Sequence, residues 1–304
     1  MIKQQVLSED FPIELGDDIR LLGNYFFSLY LVRGANASAL IEMGVTAVVD
    51  AVIGQLESLG VSPDYLVLTH PHTDHIAGLP GLMARYPAAR LVAGAGAREF
   101  ATHPKALKNM IHEDRFIAGR LSAEGIQAGR PALETLSFPK DHFVIGDKEN
   151  IDLGGLTLRC ISVSGHSPGN IVIQVPERKA LFVSDSLGFH YPGRGFCPLF
   201  FTGFDGFMDT LRLLEQLPAD ILGPGHQGPI TGPDVKKAFQ QAGREASRVL
   251  ETIRNSAEED EVLARGLFEK YYVDEFTLYS GRSMLNGCRL LVRRAREALG
   301  HFPE

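Results

Sequence analysis

The 304-residue chain has no tryptophan and only three cysteines. Cys160, Cys197 and Cys288 lie far apart, form no Cys-x-x-Cys pair and are odd in number. That pattern does not make a disulfide framework, and a reduced, cytoplasmic setting is expected. Long hydrophobic runs are missing too. The most apolar early stretch, residues 25–32, falls well short of the roughly 18 apolar residues that a spanning helix needs. The opening MIKQQVLSEDFPIELGDD is polar and shows no apolar core of a secretory signal, so no membrane association is expected. Excess positive charge is also absent: 30 Lys and Arg stand against 37 Asp and Glu, a formal charge of −7. A nucleic-acid partner, which normally requires a basic face, is therefore not expected. What is present is ordinary globular composition, 44% hydrophobic and 22% charged, which excludes a disordered or collagen-like chain. The length allows one large or two medium domains.

Short apolar runs bounded by turns fill residues 13–92, at 19–22, 26–32, 37–42, 47–49, 65–69 and 90–92. They have strand length and β-branched or aromatic content. Helices are expected at 52–60 and 76–86. The same texture returns at 143–145, 156–163, 170–175, 180–183 and 221–222, with a helix over 206–217. Strands with interspersed helices predict an α/β fold of sheets covered by helices. Residues 99–140 are more polar and read as an insertion or cap that could gate a site. From 233 the chain turns helical. Val235, Ala238, Phe239, Ala242, Ala246, Val249, Leu250 and Ile253 recur at helical spacing. Ser256 to Glu259 reads as a capping box for a second helix, and a third spans about 283–299. The expected organisation is a catalytic domain over 1–232, with 233–304 as helices packed on it.

Chemistry concentrates at Thr69-His70-Pro-His72-Thr-Asp74-His75, directly after an apolar strand. In extended chain His70 and His72 share a face, about 6.6 Å apart along the strand. Asp74 and His75 are adjacent and point in different directions, so one ion can take the first pair and a second ion the other. Imidazole with carboxylate suits zinc, iron, manganese or cobalt. Further candidates follow later strands: His166 in Gly165-His-Ser-Pro-Gly169, Asp185 after residues 180–183, and His226 in Gly225-His-Gln-Gly. Glycine beside such a residue lets backbone pass close to a crowded site.

Taken together these residues resemble the metallo-β-lactamase-fold hydrolases. Their motif is His-x-His-x-Asp-His, then a Gly-His-[Ser/Thr]-x-Gly turn, a strand-end Asp and a Gly-His turn. Seven positions agree in order, over roughly residues 13–230. The resemblance implies an αββα sandwich with metals at one edge of the paired sheets. It implies that His70, His72 and His166 hold one divalent ion, that Asp74, His75 and His226 hold another, and that Asp185 bridges them. The Asp at 185 and the lack of an export signal set the chain apart from true β-lactamases. His72 stands where flavodiiron proteins have Glu, and the large extra domain of the family's nucleases is missing. Glyoxalase II, lactonase and thioesterase branches remain. The tail from Val273-Asp-Glu-Phe276 to Gly281-Arg-Ser-Met284 is similar to a 2-aminobenzoylacetyl-CoA thioesterase branch. Phe189 replaces an acid of that branch, so its substrate is not carried over, and Asn170 stands where many relatives have His.

The chemistry this implies is hydrolysis of an ester or thioester of a small acyl molecule, by a water activated between two zinc, iron or manganese ions, with Asp74 and Asp185 tuning the charge. The alternatives are a lactonase, a mononuclear iron sulfur dioxygenase, and a regulator with a vestigial site, against which the complete ligand set argues. Thr69 and Ser184 are candidates to support the ligands, or are ordinary strand-end residues. The histidines at 103, 112, 142 and 301 read as structural or surface residues. His190, close after Asp185, is a candidate substrate contact with Phe189 and Phe196. The glycine-punctuated aromatic stretch at 189–207 reads as a hydrophobic pocket, as core packing or as a homodimer contact. Arg289, Arg293, Arg294 and Arg296 form a solvated face or a site for an anionic carrier, as do Arg244, Arg248 and Arg254 on the earlier helix. Cys160 reads as a buried apolar residue, and Cys197 could face the pocket.

Overall fold

The apolar runs of the N-terminal half become seven strands in a computed structural model that describes residues 11–300. They are β1 (Ile13–Glu14), β2 (Ile19–Gly23), β3 (Ser28–Arg33), β4 (Ser38–Ile41), β5 (Tyr65–Leu68), β6 (Arg90–Gly94) and β7 (Phe143–Ile145). They lie side by side in chain order. Pairing is antiparallel from β1 to β4 and parallel from β4 to β7. Parallel neighbours need crossovers, usually helical. α1 (Val49–Ser58) joins β4 to β5, and α2 (Thr73–Ile76) with α3 (Leu79–Arg85) joins β5 to β6. α4 (Ala97–Thr102) and the long α5 (Pro104–Ala123) lie between β6 and β7.

The second sheet contains β8 (Asn150–Asp152), β9 (Thr157–Ser162), β10 (Ile171–Val175) and β11 (Ala180–Phe182). A separate two-stranded ribbon follows, β12 (Phe189–Tyr191) with β13 (Gly195–Cys197). After α6 (Phe204–Glu215), β14 (Ile221–Gly223) and β15 (Ile230–Thr231) return to the second sheet beside β11. The chain then forms α7 (Asp234–Arg254), α8 (Asp260–Tyr271) and α9 (Gly281–Ala298).

Alternation along the strands sorts the core into two clusters. One face of each sheet contributes Tyr30, Ile41, Val67, Val92, Cys160, Ile173 and Phe182 to an inner layer, where the Tyr30 and Phe182 rings are 4.8 Å apart. The opposite faces meet helices: Leu40, Leu66 and Leu68 share a cluster with Val49, Val52 and Leu56 of α1, and Leu181 and Leu222 share it with α6 and α7. The result is an αββα sandwich extended by C-terminal helices. Residues 47–49, expected as a strand, instead complete a 3-10 turn (Thr46–Val48) and open α1. They are buried on every side, so their β-branched content reports burial and not extended chain.

The topology places one edge for chemistry. β9 and β11 each run antiparallel to β10, and β14 runs parallel to β11, so all three end on the same side. His166, Asp185 and His226 follow those ends, and His70 follows the end of β5.

Candidate metal centre

The donor atoms of His70, His72 and His166 all lie within 4.8 Å of one another, and so do those of Asp74, His75, Asp185 and His226. Asp185 stands between the sets. Its Oδ2 is 3.9 Å from His70 Nε2, 3.7 Å from His166 Nε2 and 3.5 Å from His75 Nε2, and its Oδ1 is 3.5 Å from His226 Nε2. Asp74 Oδ2 is 3.5 Å from His75 Nε2 and 3.4 Å from His226 Nε2. All seven residues predicted from sequence converge here.

Four of the five rings, those of His70, His75, His166 and His226, are held from behind. The Nδ1–H of His166 donates to Leu199 O and that of His226 to Phe26 O, both at 2.8 Å. His75 Nδ1 faces the Glu42 carboxylate at 3.1 Å. Thr69 donates to that same carboxylate and lies 3.1 Å from His70 Nδ1. With these rear contacts, the Nε2 atoms of His70, His75, His166 and His226 point inward, buried and without a hydrogen-bond partner, as does Asp185 Oδ1. Buried polar atoms are normally satisfied, so five converging orphans mark a place for a cation. Gly225 permits the crowding: a Cβ there would lie 2.6 Å from His75 Cε1.

The electrostatics agree. Burial, then neighbouring histidines, holds His70 well below the ordinary imidazole value, and burial with His166 brings His72 to about 3. Both rings therefore keep neutral, ligating nitrogens at neutral pH. Burial pushes Asp185 up, but His75, His226 and His166 outweigh it and bring the carboxyl to about 2. Burial would also depress His75, but the charges of Asp74, Glu42 and Asp185 outweigh it and raise the ring. The same acids, Asp74, Glu42 and Asp185, that raise His75 are the groups that would offset the charge of a divalent cation.

Residues 27–226 match the family described as the Metallo-beta-lactamase superfamily. The chain belongs to the metallo-β-lactamase superfamily. A hydroxyacylglutathione hydrolase from Ruegeria pomeroyi is 29% identical over 216 residues, 69% of this chain and 65% of that protein. The chain thus spans just under two thirds of that relative's length. A metallo-beta-lactamase fold-containing protein of Sulfurisphaera tokodaii is 27% identical over 217 residues, 70% of this chain and 77% of that protein. Among solved structures, a metallo-beta-lactamase family protein from Thermus thermophilus superposes with a TM-score of 0.68 at 21% identity, covering 94% of this chain and 95% of the other. Such a likeness shows the sandwich fold. Family and cluster together point to divalent metal binding.

Beside the centre of this superfamily member lies a cavity of about 280 Å³, reached by His72, Asp74, His166 and Asp185. Its walls come from α5, α9 and the aromatic stretch. Phe189 and Phe201 line it, with Phe189 stacked on Phe276 at 4.1 Å. His190 and Phe196, expected as substrate contacts, are not among its lining residues. The reason is strand alternation: they pair across the β12–β13 ribbon on the face opposite Phe189, with rings 5.0 Å apart. Phe200 and Phe207 are core residues. Cys197 is buried, with its Sγ 3.7 Å from Pro198 O. Arg289 pairs with Glu261 at 2.7 Å, Arg293 with Glu297 at 3.0 Å and Arg296 with Asp260 at 3.1 Å, as on a salt-bridged surface. His142 meets Phe138 edge to face, His112 is exposed and His103 caps α5. His301 and the opening ten residues lie outside the described range.

Two residues at the site were not singled out in the sequence. Glu42 follows β4 with a left-handed φ of 75°, which aims its carboxylate at Thr69 and His75. Tyr279, between α8 and α9, donates its hydroxyl to Asp74 Oδ2 at 2.7 Å and lines the cavity. No helix among the described residues is long and apolar enough to cross a membrane.

Proposed function

We propose that this protein is a dinuclear metal-dependent hydrolase that cleaves an ester or thioester of a small acyl substrate. The observation that supports it most is Asp185, whose carboxylate faces both donor sets beside an apolar cavity. His70, His72 and His166 would hold one ion, Asp74, His75 and His226 the other, and Asp185 would contact both. When bound, zinc, iron or manganese ions supply Lewis acidity for a carbonyl and bring the pKa of water toward neutrality. The chain supplies the rest. Asp74 and Asp185 offset part of the ionic charge and leave a positive centre suited to an oxyanion. Glu42, Leu199 O and Phe26 O keep the imidazoles turned inward. Phe189, Phe201 and Phe276 keep bulk water off the reacting carbonyl.

The likeness to the Ruegeria hydroxyacylglutathione hydrolase favours a thioester. A lactone is a cyclic ester and suits the same centre. The test is metal analysis of the freshly purified protein, followed by turnover of S-acyl glutathione, acyl-CoA, lactone and aryl esters. Two metals per chain with hydrolysis are expected. One iron with oxygen uptake on a persulfide would replace this reading with a sulfur dioxygenase. Asp185→Asn is expected to lose about a thousandfold or more in turnover, as when a central electrostatic group is removed. Near-normal turnover in that variant would count against the scheme.

A further inference from the structure

We infer that the cavity is an acyl pocket for a neutral, apolar group of about nine heavy atoms, with Gly287 of α9 setting its depth. This rests on the hydrolase reading above. The walls carry Phe100, Met110, Phe189, Phe201, Met284 and Leu290. Among the described residues, no lysine or arginine lines it. Apart from the metal-centre residues, the one charged group on the wall is Glu113. Its oxygens are already used: Oε1 accepts from Ser280 N at 2.6 Å, and Oε2 accepts from Ser280 Oγ at 2.7 Å and Ser283 Oγ at 2.5 Å. An acyl group ending in a carboxylate would meet the Glu113 carboxylate with no lysine or arginine on the wall and only neutral polar groups such as Asn109 and Asn286 beside it, which is unfavourable.

Size sets the other limit. At roughly 30 Å³ per water-sized atom, a cavity of about 280 Å³, part of it against His72, Asp74, His166 and Asp185, has an upper limit near an octanoyl or phenylacetyl group and is mostly empty around acetyl. Gly287 sits inside α9, where glycine is disfavoured. A Cβ there would lie 3.3 Å from Phe201 Cζ and 3.4 Å from Cε1, so any larger side chain presses on the opposite wall and takes up the cavity. The glycine keeps the pocket open at a cost to the helix. In the reaction the acyl C–S or C–O bond breaks. Water gives its hydroxyl to the acyl carbon and its remaining proton to the leaving thiol or alcohol.

The test uses metal-loaded protein and N-acetylcysteamine thioesters, which share one small neutral leaving group. Wild type is expected to prefer octanoyl and phenylacetyl over acetyl by at least about 30-fold in kcat/KM, and to turn over succinyl more slowly than acetyl. Gly287→Leu should collapse the octanoyl preference by at least about tenfold, with metal content and melting curve reporting that the variant is folded. Met284→Ala should move the optimum to a longer chain. Acetyl and octanoyl turned over equally, a preference for succinyl, or an unaltered preference in both variants would overturn the inference. Calorimetric binding of octanamide separates it from the hydrolase reading. If no thioester is cleaved but octanamide binds wild type and about tenfold less tightly to Gly287→Leu, the pocket stands and the hydrolase reading falls. If octanamide does not bind wild type, the pocket falls.

Discussion

Asp74 is gripped from two directions, by the histidines of its own centre and by the hydroxyl of Tyr279. Residues that orient a metal ligand typically matter about 10- to 100-fold for metal affinity. Tyr279→Phe is therefore expected to weaken retention of the ion at Asp74 by about tenfold, read by competition with a chelator, while far-UV circular dichroism stays the same. The thiols make the opposite case of groups out of reach. Burial pushes Cys160 and Cys288 up to about 12, and burial with Cys288 raises Cys197 well above its ordinary value. A raised value keeps each thiol protonated at pH 8, so a disulfide reagent should titrate none until denaturant is added. At this scale the converging histidines and aspartates were legible because they cluster in six residues or follow strand ends beside glycine. Glu42 was not, since a single acid after an apolar run carries no spacing signal. Tyr279 was not, because it meets Asp74 across 205 residues of chain. That Phe196 lies on the ribbon face opposite Phe189 was not legible, because a count of aromatics ignores the two faces.

α5 is the element that joins the parts around the cavity. Its Glu113 holds the start of α9, and its neighbour Asp114, fully buried, accepts from Thr46 N at 3.0 Å, Thr46 Oγ1 at 2.5 Å and Leu133 N at 2.7 Å. Asp114→Ala leaves these buried donors unsatisfied, at about 1–3 kcal/mol per group. A loss of about 3 kcal/mol is expected, checked by urea denaturation with the m-value unaltered. In sequence this region read as a polar insertion or cap with several possible short helices, not as one long helix. Its buried face, Met110, Glu113, Asp114, Ile117 and Leu121, has helical spacing, but two of the five are acids that a hydrophobic pattern passes over. The C-terminal helices were legible from the three- and four-residue spacing of α7. The capping box at Ser256 was not formed: Ser256 accepts from Glu258 N in a local turn, and α8 begins at Asp260 with no side-chain cap. Serine serves turns and caps alike, and only the neighbouring chain decides between them.

Across the whole molecule, the proposed ligands come from both sheets: His70 from the edge after β5, and His166, Asp185 and His226 from the edge after β9, β11 and β14. Bound ions would then staple two layers that otherwise meet through apolar packing. An ion held at a thousandfold its Kd adds about 4 kcal/mol, roughly 10 °C in melting temperature for a chain of this size. Chelation should remove that increment and re-addition restore it, measured by calorimetry. An unaltered melting temperature would contradict ions bound to the native state. The layered architecture was legible because strands and crossovers leave local signatures, whereas the partition of faces between inner and outer layers emerges only from the pairing. Tyr279 also sets an order of events during translation. A ribosome has already delivered all seven histidine and aspartate donors well before that tyrosine leaves the exit tunnel. With an ion bound, the contact from Tyr279 to Asp74 could form only once that tyrosine has emerged, later than any of the seven donors.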